Sequence, residues 1–172
     1  NMGRRWFGER FDFDAQQDFT FNFPNLISGE LAEIKVLAAA TSEVNTTMSI
    51  TLNNTAIGQL SFLGNNSQSS NLASGSELSA QKVLPGSGVT IGLSYNDNGN
   101  PASTGYLDYI SIAAKRSLTY TGESLFFNTK SSSQNNQVVS LTLDNSSSVV
   151  SLWDVSDIEN IKELWLLTVS PH

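Results

Sequence analysis

Chemistry in this chain would have to start from carboxylates. Glu9, Asp12, Asp14 and Asp18 fall close together near its start. A pair of carboxyl groups is what hydrolysis of a glycosidic bond needs, one to protonate the leaving oxygen and one to serve as base or nucleophile. The same acids flank segments rich in Phe, where a charge at every second position marks the solvent face of a strand, and that solvated face is the favoured reading. The run Asn96-Asp97-Asn98-Gly99-Asn100 gathers side-chain oxygens as a calcium loop does. It supplies one carboxylate and no downstream acid at the spacing that closes an EF-hand, so a plain turn is expected. Asp108 and Asp154 differ from the rest, because each sits between large apolar neighbours, Leu107 and Tyr109 in one case, Trp153 and Val155 in the other. A carboxylate placed so is expected to accept backbone donors at a strand end or turn, since an unpaired buried charge costs too much.

Thiol and imidazole chemistry is closed to these 172 residues, which include no cysteine and a single histidine, His172. No thiol nucleophile, disulfide, Cys-based zinc site or Cys-His dyad can be assembled, and a Ser-His-Asp triad would depend on the last residue. No catalytic, cofactor-binding or metal-binding residue is therefore assigned, and no cofactor is expected. The net charge of -7 repels phosphate backbones and anionic lipid, so nucleic acid is not an expected partner. No apolar run approaches the ~20 residues that span a bilayer, and nothing at the start reads as a signal peptide. Charged residues make up only 15%, with Ser, Asn, Thr and Gly in their place, a texture of secreted and surface β-proteins.

Other candidates have plainer readings. Trp6, Phe7, Phe11 and Phe13 could stack on sugar rings, but aromatics are also the ordinary filling of a β-core, and core is expected. The Asn-x-Ser/Thr sequons at Asn45, Asn53, Asn65 and Asn145 are what chance gives in so Asn- and Ser-rich a chain. Gly58 and Gly86-Ser87-Gly88 lack the strand-loop-helix setting of a phosphate cradle and read as turn glycines.

The elements that must position these residues are strands. Phe19, Phe21 and Phe23 alternate with Asp18, Thr20 and Asn22, up to a stop at Pro24-Asn25. Ala32, Ile34, Val36 and Ala38, then Met48, Ile50 and Leu52, continue the period of two. Asn53-Asn54 suits a tight hairpin turn before 56–62, because Asn tolerates positive φ. The polar stretch 64–79 reads as a long loop or frayed edge. Val89, Ile91, Leu93 and Tyr95 restart the alternation, 105–116 is the longest extended segment, and 125–128, 138–143 and 149–155 are further strand candidates. The stretch 157–169 is ambiguous, since Ser156 and Glu159 could form a capping box while 164–169 reads as a strand. Many short strands with one apolar face predict an all-β fold, an antiparallel β-sandwich of the jelly-roll type with about ten strands. Residues 1–123 form the sandwich domain. Residues 124–172 either complete it or begin a linker or second small β-unit, whose signature would be an exposed apolar patch around Trp165.

Several motifs taken in order are more specific than any one of them: Trp6-Phe7-Gly8-Glu9-Arg10-Phe11, Asn53 followed by Ile57-Gly58, Gly105-Tyr106-Leu107-Asp108-Tyr109-Ile110, and Trp153-Asp154-Val155-Ser156-Asp157. Together they resemble the N-terminal, pre-catalytic region of the gingipain-type cysteine peptidases, above all the PorU-like sortases of the type IX secretion system of Bacteroidetes. The likeness covers nearly the whole chain. One departure is Ile158, where such proteins commonly carry Pro. The resemblance implies a cell-surface or outer-membrane-associated protein with its catalytic Cys and His further along a longer chain. This segment would then be a non-catalytic domain that positions the downstream peptidase domain or docks cargo or other secretion components. The alternative is a carbohydrate-binding module on the same sandwich, using Trp6, Tyr106 or Tyr109 as stacking platforms.

Overall fold

Each stretch of alternating apolar residues becomes a strand with one face turned into a shared core. The computed structural model describes residues 7–65, 72–128 and 141–165, so Trp6 lies outside the described residues. In chain order the strands are β1 (Arg10–Phe11), β2 (Gln16–Asn22), β3 (Leu31–Thr41), β4 (Thr46–Leu52), β5 (Thr55–Phe62), β6 (Ser74–Val83), β7 (Gly88–Asn96), β8 (Thr104–Ala113), β9 (Leu152–Asp154) and β10 (Lys162–Leu164). One four-stranded sheet runs β1-β8-β3-β6, the other β2-β7-β4-β5, and β9 pairs with β10 alone. All neighbours are antiparallel.

This order is a jelly roll. β4 pairs with β5, β3 with β6, β2 with β7 and β1 with β8, a nest of hairpins, and rolling the nest brings β8 against β3 and β7 against β4. The core lies between the sheets, with Ile34 and Val36 on β3, Met48 and Ile50 on β4, Leu60 and Phe62 on β5, and Val89, Ile91 and Leu93 on β7. Full burial of one such side chain stabilises the fold by about 1.5–3 kcal/mol. The β4–β5 hairpin turns on Asn53 and Asn54, with φ of 44° and 66°, as its two-residue loop requires. One side of the sandwich closes where β5 meets β6. There Gly58 admits Leu78 so closely that a Cβ on Gly58 would stand 2.7 Å from Leu78 Cδ1.

The chain divides after Arg116 into two units, Asn1–Arg116 and Ser117–His172. The first carries both four-stranded sheets. In the second, the Tyr120 N–H donates to the Asp144 carbonyl and the Asp144 N–H to the Leu118 carbonyl around an isolated parallel bridge between Thr119 and Asp144, a 3-10 turn spans Ser146–Ser148, and β9 and β10 form a small hairpin. Among the described residues no helix is long and apolar enough to cross a membrane.

Four local expectations are corrected. The polar stretch 64–79 does not stay a loop beyond residue 73, because β6 starts at Ser74 and pairs along β3 from Ala40↔Ser74 to Leu31↔Val83. Its inward residues are mostly small, Ser76 and Ala80 beside Leu78, so its alternation is faint in the sequence. Residues 125–128 form no strand, and neither do 141–143, while 138–140 lie outside the described residues. Ser156 and Glu159 cap no helix. Asp157 instead accepts the Glu159 N–H within a turn, and Lys162–Leu164 is a strand, with 166–169 outside the described residues. Of the aromatics expected in the core, Phe11 is there, but Phe7 is partly exposed and Phe13 is 99% exposed on the β1–β2 turn.

Candidate functional site

The motif at residues 105–110 folds as a β-bulge. β3 pairs Leu37 with Tyr109 and Ala38 with Leu107, which leaves Asp108 as an extra residue on β8. A bulge breaks the period of two. Leu107 is buried and Ile110 packs against the core, so Tyr106 and Tyr109, three apart, both face outward. Phe7 rests against Tyr106 with ring centroids 6.0 Å apart and planes tilted by 48°, held there by the Gly8 N–H, which donates to the Leu107 carbonyl at 2.8 Å. Tyr109 is 39% exposed. Beside it Lys35 pairs with Glu33 at 2.9 Å. That hydrogen bond and the Glu33 charge hold the ammonium above the usual lysine range, with smaller help from Glu77 and Tyr109. This face offers aromatic edges and fixed charge, which suit binding.

The carboxylates near the start are spread along a turn and an edge strand. Asp12 takes the Arg10 guanidinium at 2.9 Å and the Phe13 N–H at 2.7 Å, while Glu9 and Asp14 are exposed. In the 96–100 loop, side-chain oxygens of Asn96, Asp97 and Asn100 accept the N–H groups of Asn98, Gly99 and Ala102 at 2.9, 2.9 and 3.1 Å. Three successive Asx turns thus use those oxygens to shape the loop itself. Among the described residues no group of three or more acids or histidines could hold a metal ion. Behind this loop lies a buried patch of hydroxyls. Ser42 and Ser103 share a 2.7 Å hydrogen bond, and burial raises the Tyr95 phenol above its ordinary value, a rise opposed by the hydroxyls of Thr46 and Ser103.

At the other end of the sandwich an open groove of about 320 Å³ runs between the end of β2 and the end of β8, lined by Phe23, Pro24, Leu26, Ile112 and Ala114 together with Lys115 and Arg116. Lys115 reaches Glu30 at 2.7 Å. Neither the groove nor the bulge was apparent from composition. The bulge did leave a signal, since Leu107 and Ile110 are both apolar and three apart, a spacing no regular strand buries on one face.

The second unit carries a different kind of surface. In the β9–β10 hairpin Leu152 faces Leu164, Trp153 faces Glu163 and Asp154 faces Lys162. Trp153 is 52% and Trp165 87% exposed, and Val155, Ile158, Ile161 and Leu164 are exposed with them. Asp154 Oδ1 accepts the Ser156 N–H at 3.0 Å and its hydroxyl at 2.6 Å, the turn role expected from its neighbours. Those two bonds hold its carboxyl below the usual range.

No protein-family profile matches the chain, and no curated protein sequence matches it. Solved structures do. The fold is similar to part of dimeric latent PorU from Porphyromonas gingivalis, with a TM-score of 0.58 and 20% identity over 70% of this chain and 12% of that one. This chain therefore spans about an eighth of that protein, and the likeness is one of fold. Weaker similarities reach the carbohydrate-binding module CBM36 in complex with calcium and xylotriose (TM-score 0.42, 14% identity, 60% of this chain and 78% of that one). Another is the insecticidal delta-endotoxin Cry8Ea1 from Bacillus thuringiensis (TM-score 0.45, 13% identity, 63% and 20%).

Proposed function

We propose that the chain is a non-catalytic N-terminal part of a surface cysteine peptidase, the sortase-like kind of the type IX secretion system, and that it positions the peptidase domain downstream of it. The jelly roll shared with part of PorU and the ordered sequence motifs support the family. The observation that carries the role is the β9–β10 hairpin. A two-stranded hairpin is marginal by itself in water, yet this one exposes Trp153, Val155, Leu164 and the neighbouring Trp165, as a surface awaiting a covering domain does. Catalysis by the parent would then rest with a Cys and a His outside this segment, and the protein would work at the cell surface.

The test extends the chain by the sequence that comes after it in its gene. Amide exchange across 152–164 should slow about tenfold or more when the downstream domain is present, as for a hairpin that gains a packed face. Equal exchange with and without that domain would refute the positioning role. A second reading, carbohydrate binding, is favoured by Tyr109 standing exposed on the same face as Tyr106. Titration calorimetry with xylo- and cello-oligosaccharides tests it, and heat that survives Tyr109→Ala would remove Tyr109 from the site.

A further inference from the structure

The loop that joins β7 to β8 holds the one Asn-Gly pair of the chain, Asn98-Gly99. Both residues have positive φ, 52° and 78°, and the Asn100 N–H donates to the Asp97 carbonyl at 3.1 Å. Those features make a type I′ turn with Asn98 and Gly99 at its centre, a pair this turn strongly favours. Two side chains hold it. Asn96 Oδ1 accepts the Asn98 N–H and Asp97 Oδ1 the Gly99 N–H, each at 2.9 Å. The Asn98 side chain is exposed at the tip, and the oxygens that shape the loop come from Asn96, Asp97 and Asn100 instead.

We propose that Asn98 is a self-modification site, converted to aspartate and isoaspartate through a cyclic imide, and that Asp97 holds it in reserve. The nucleophile is the Gly99 backbone nitrogen, tethered to the Asn98 amide carbon so that attack is intramolecular. Glycine places no Cβ beside that nitrogen and leaves the peptide plane free to rotate. The nitrogen gives its proton to water or hydroxide and bonds to Asn98 Cγ, the Cγ–Nδ2 bond breaks, and Nδ2 takes up a proton from water and leaves as ammonia. Water then opens the imide at either carbonyl, giving aspartate or, where the main chain is rerouted through Cγ, isoaspartate. One water is consumed and one ammonia released, with no oxidant or reductant. Ring closure requires the peptide plane to turn out of the type I′ arrangement and the Gly99 nitrogen to lose its proton. Asp97 opposes both, because its carbonyl accepts the Asn100 N–H and its carboxylate accepts the very N–H that must ionise. A hydrogen bond to a charged acceptor is of the stronger kind, and a negative charge alongside disfavours a second one on the nitrogen. Reaction therefore proceeds from the minor population in which the turn has opened. It also runs one way, since the product sets a new carboxylate beside Asp97 and isoaspartate adds a main-chain atom between β7 and β8. This inference does not depend on the peptidase reading, since it concerns one loop of the first unit.

The test incubates the full chain at neutral pH, folded and in urea, and follows residue 98 by proteolytic digestion and mass spectrometry that separates aspartate from isoaspartate. Both products should accumulate in the folded chain, about tenfold or more slowly than in urea, as for a reaction that waits on local opening. Asp97→Ala should raise the folded rate about tenfold, the loss of one hydrogen bond to a charged group, and should leave the rate in urea nearly unchanged. Asp97→Asn keeps a side-chain acceptor without the charge, so its folded rate should fall between the two, and it decides the matter if the alanine variant does not fold. Absence of product at residue 98, aspartate without isoaspartate, equal rates in the folded chain and in urea, or no acceleration by either substitution at Asp97 would overturn the proposal.

Discussion

Tyr95 shows what burial does to one group. Its ring lies in the core, 6.4 Å from the Phe62 ring, and its phenol titrates above the ordinary tyrosine value of 10.0. Below pH 10 the phenol is neutral in both the folded and unfolded chain and contributes no pH dependence. Above it the unfolded chain gives up the proton first, so the unfolded state binds fewer protons and stability falls as pH rises toward the folded value. Tyr95→Phe should therefore show a shallower loss of stability above pH 10 than the parent, measured by urea unfolding at a series of pH values. An unchanged slope would mean that the phenol is solvated. The adjoining Gly105 is as constrained, since a Cβ there would stand 2.9 Å from Tyr95 Cδ2. Gly105→Ala should cost about 1–3 kcal/mol in the same assay, the range for forcing an added methyl into a packed site. The hairpin residues Asn53 and Asn54 look alike in sequence and differ in role. Asn53 Oδ1 accepts the Thr90 N–H at 2.7 Å, whereas Asn54 contributes its positive φ. Asn54→Gly should then be neutral within about 0.5 kcal/mol, while Asn53→Gly should lose about 1 kcal/mol with its hydrogen bond.

At the scale of the element, the bulge in β8 has a testable geometry. With Asp108 removed, Tyr106, Leu107, Tyr109 and Ile110 would alternate out, in, out, in, so deletion keeps every other side chain on its present face. The deleted chain should fold with a loss on the order of 1–2 kcal/mol from altered twist and the lost Asp108 contacts. By contrast, one residue inserted after Ile110 would turn Ile112 outward and should abolish cooperative unfolding. This contrast explains how much of the fold was legible. Where both alternation and residue size were strong, as in β2, β3, β4 and β7, the strands were evident, and so was the Asn53-Asn54 turn, because local chemistry decides both. β6 was not, since Ser76 and Ala80 carry little hydrophobic signal and the strand exists through its long ladder with β3. Residues 125–128 failed the other way, with a suitable local pattern and yet no strand. The site was the least legible part. Tyr106 and Tyr109 share a face only because an extra residue intervenes, and the groove arises where the ends of β2 and β8, far apart in sequence, come together.

Over the whole molecule, apolar side chains are unequally satisfied. Every member of the buried core, from Phe11 to Leu107, belongs to the first unit, and its partly buried flank ends at Ala114. The described residues of the second unit include the exposed Val150, Trp153, Ile158 and Trp165. A unit that closes its own core should fold without the residues after it, whereas a unit whose strands are three residues long and whose tryptophans face water should not. A chain ended after Arg116 should accordingly unfold in a single cooperative step in urea, with a slope in the range of about 1–3 kcal/mol/M expected for a small domain. It should also bind less of a hydrophobic dye such as ANS than the full chain does, because the exposed Phe126, Trp153 and Trp165 go with the deleted part. The complementary piece, 117–172, should give a largely disordered far-ultraviolet spectrum on its own. Non-cooperative unfolding of the shortened chain would show that the second unit supports the sandwich, and the self-sufficiency of the jelly roll would fail.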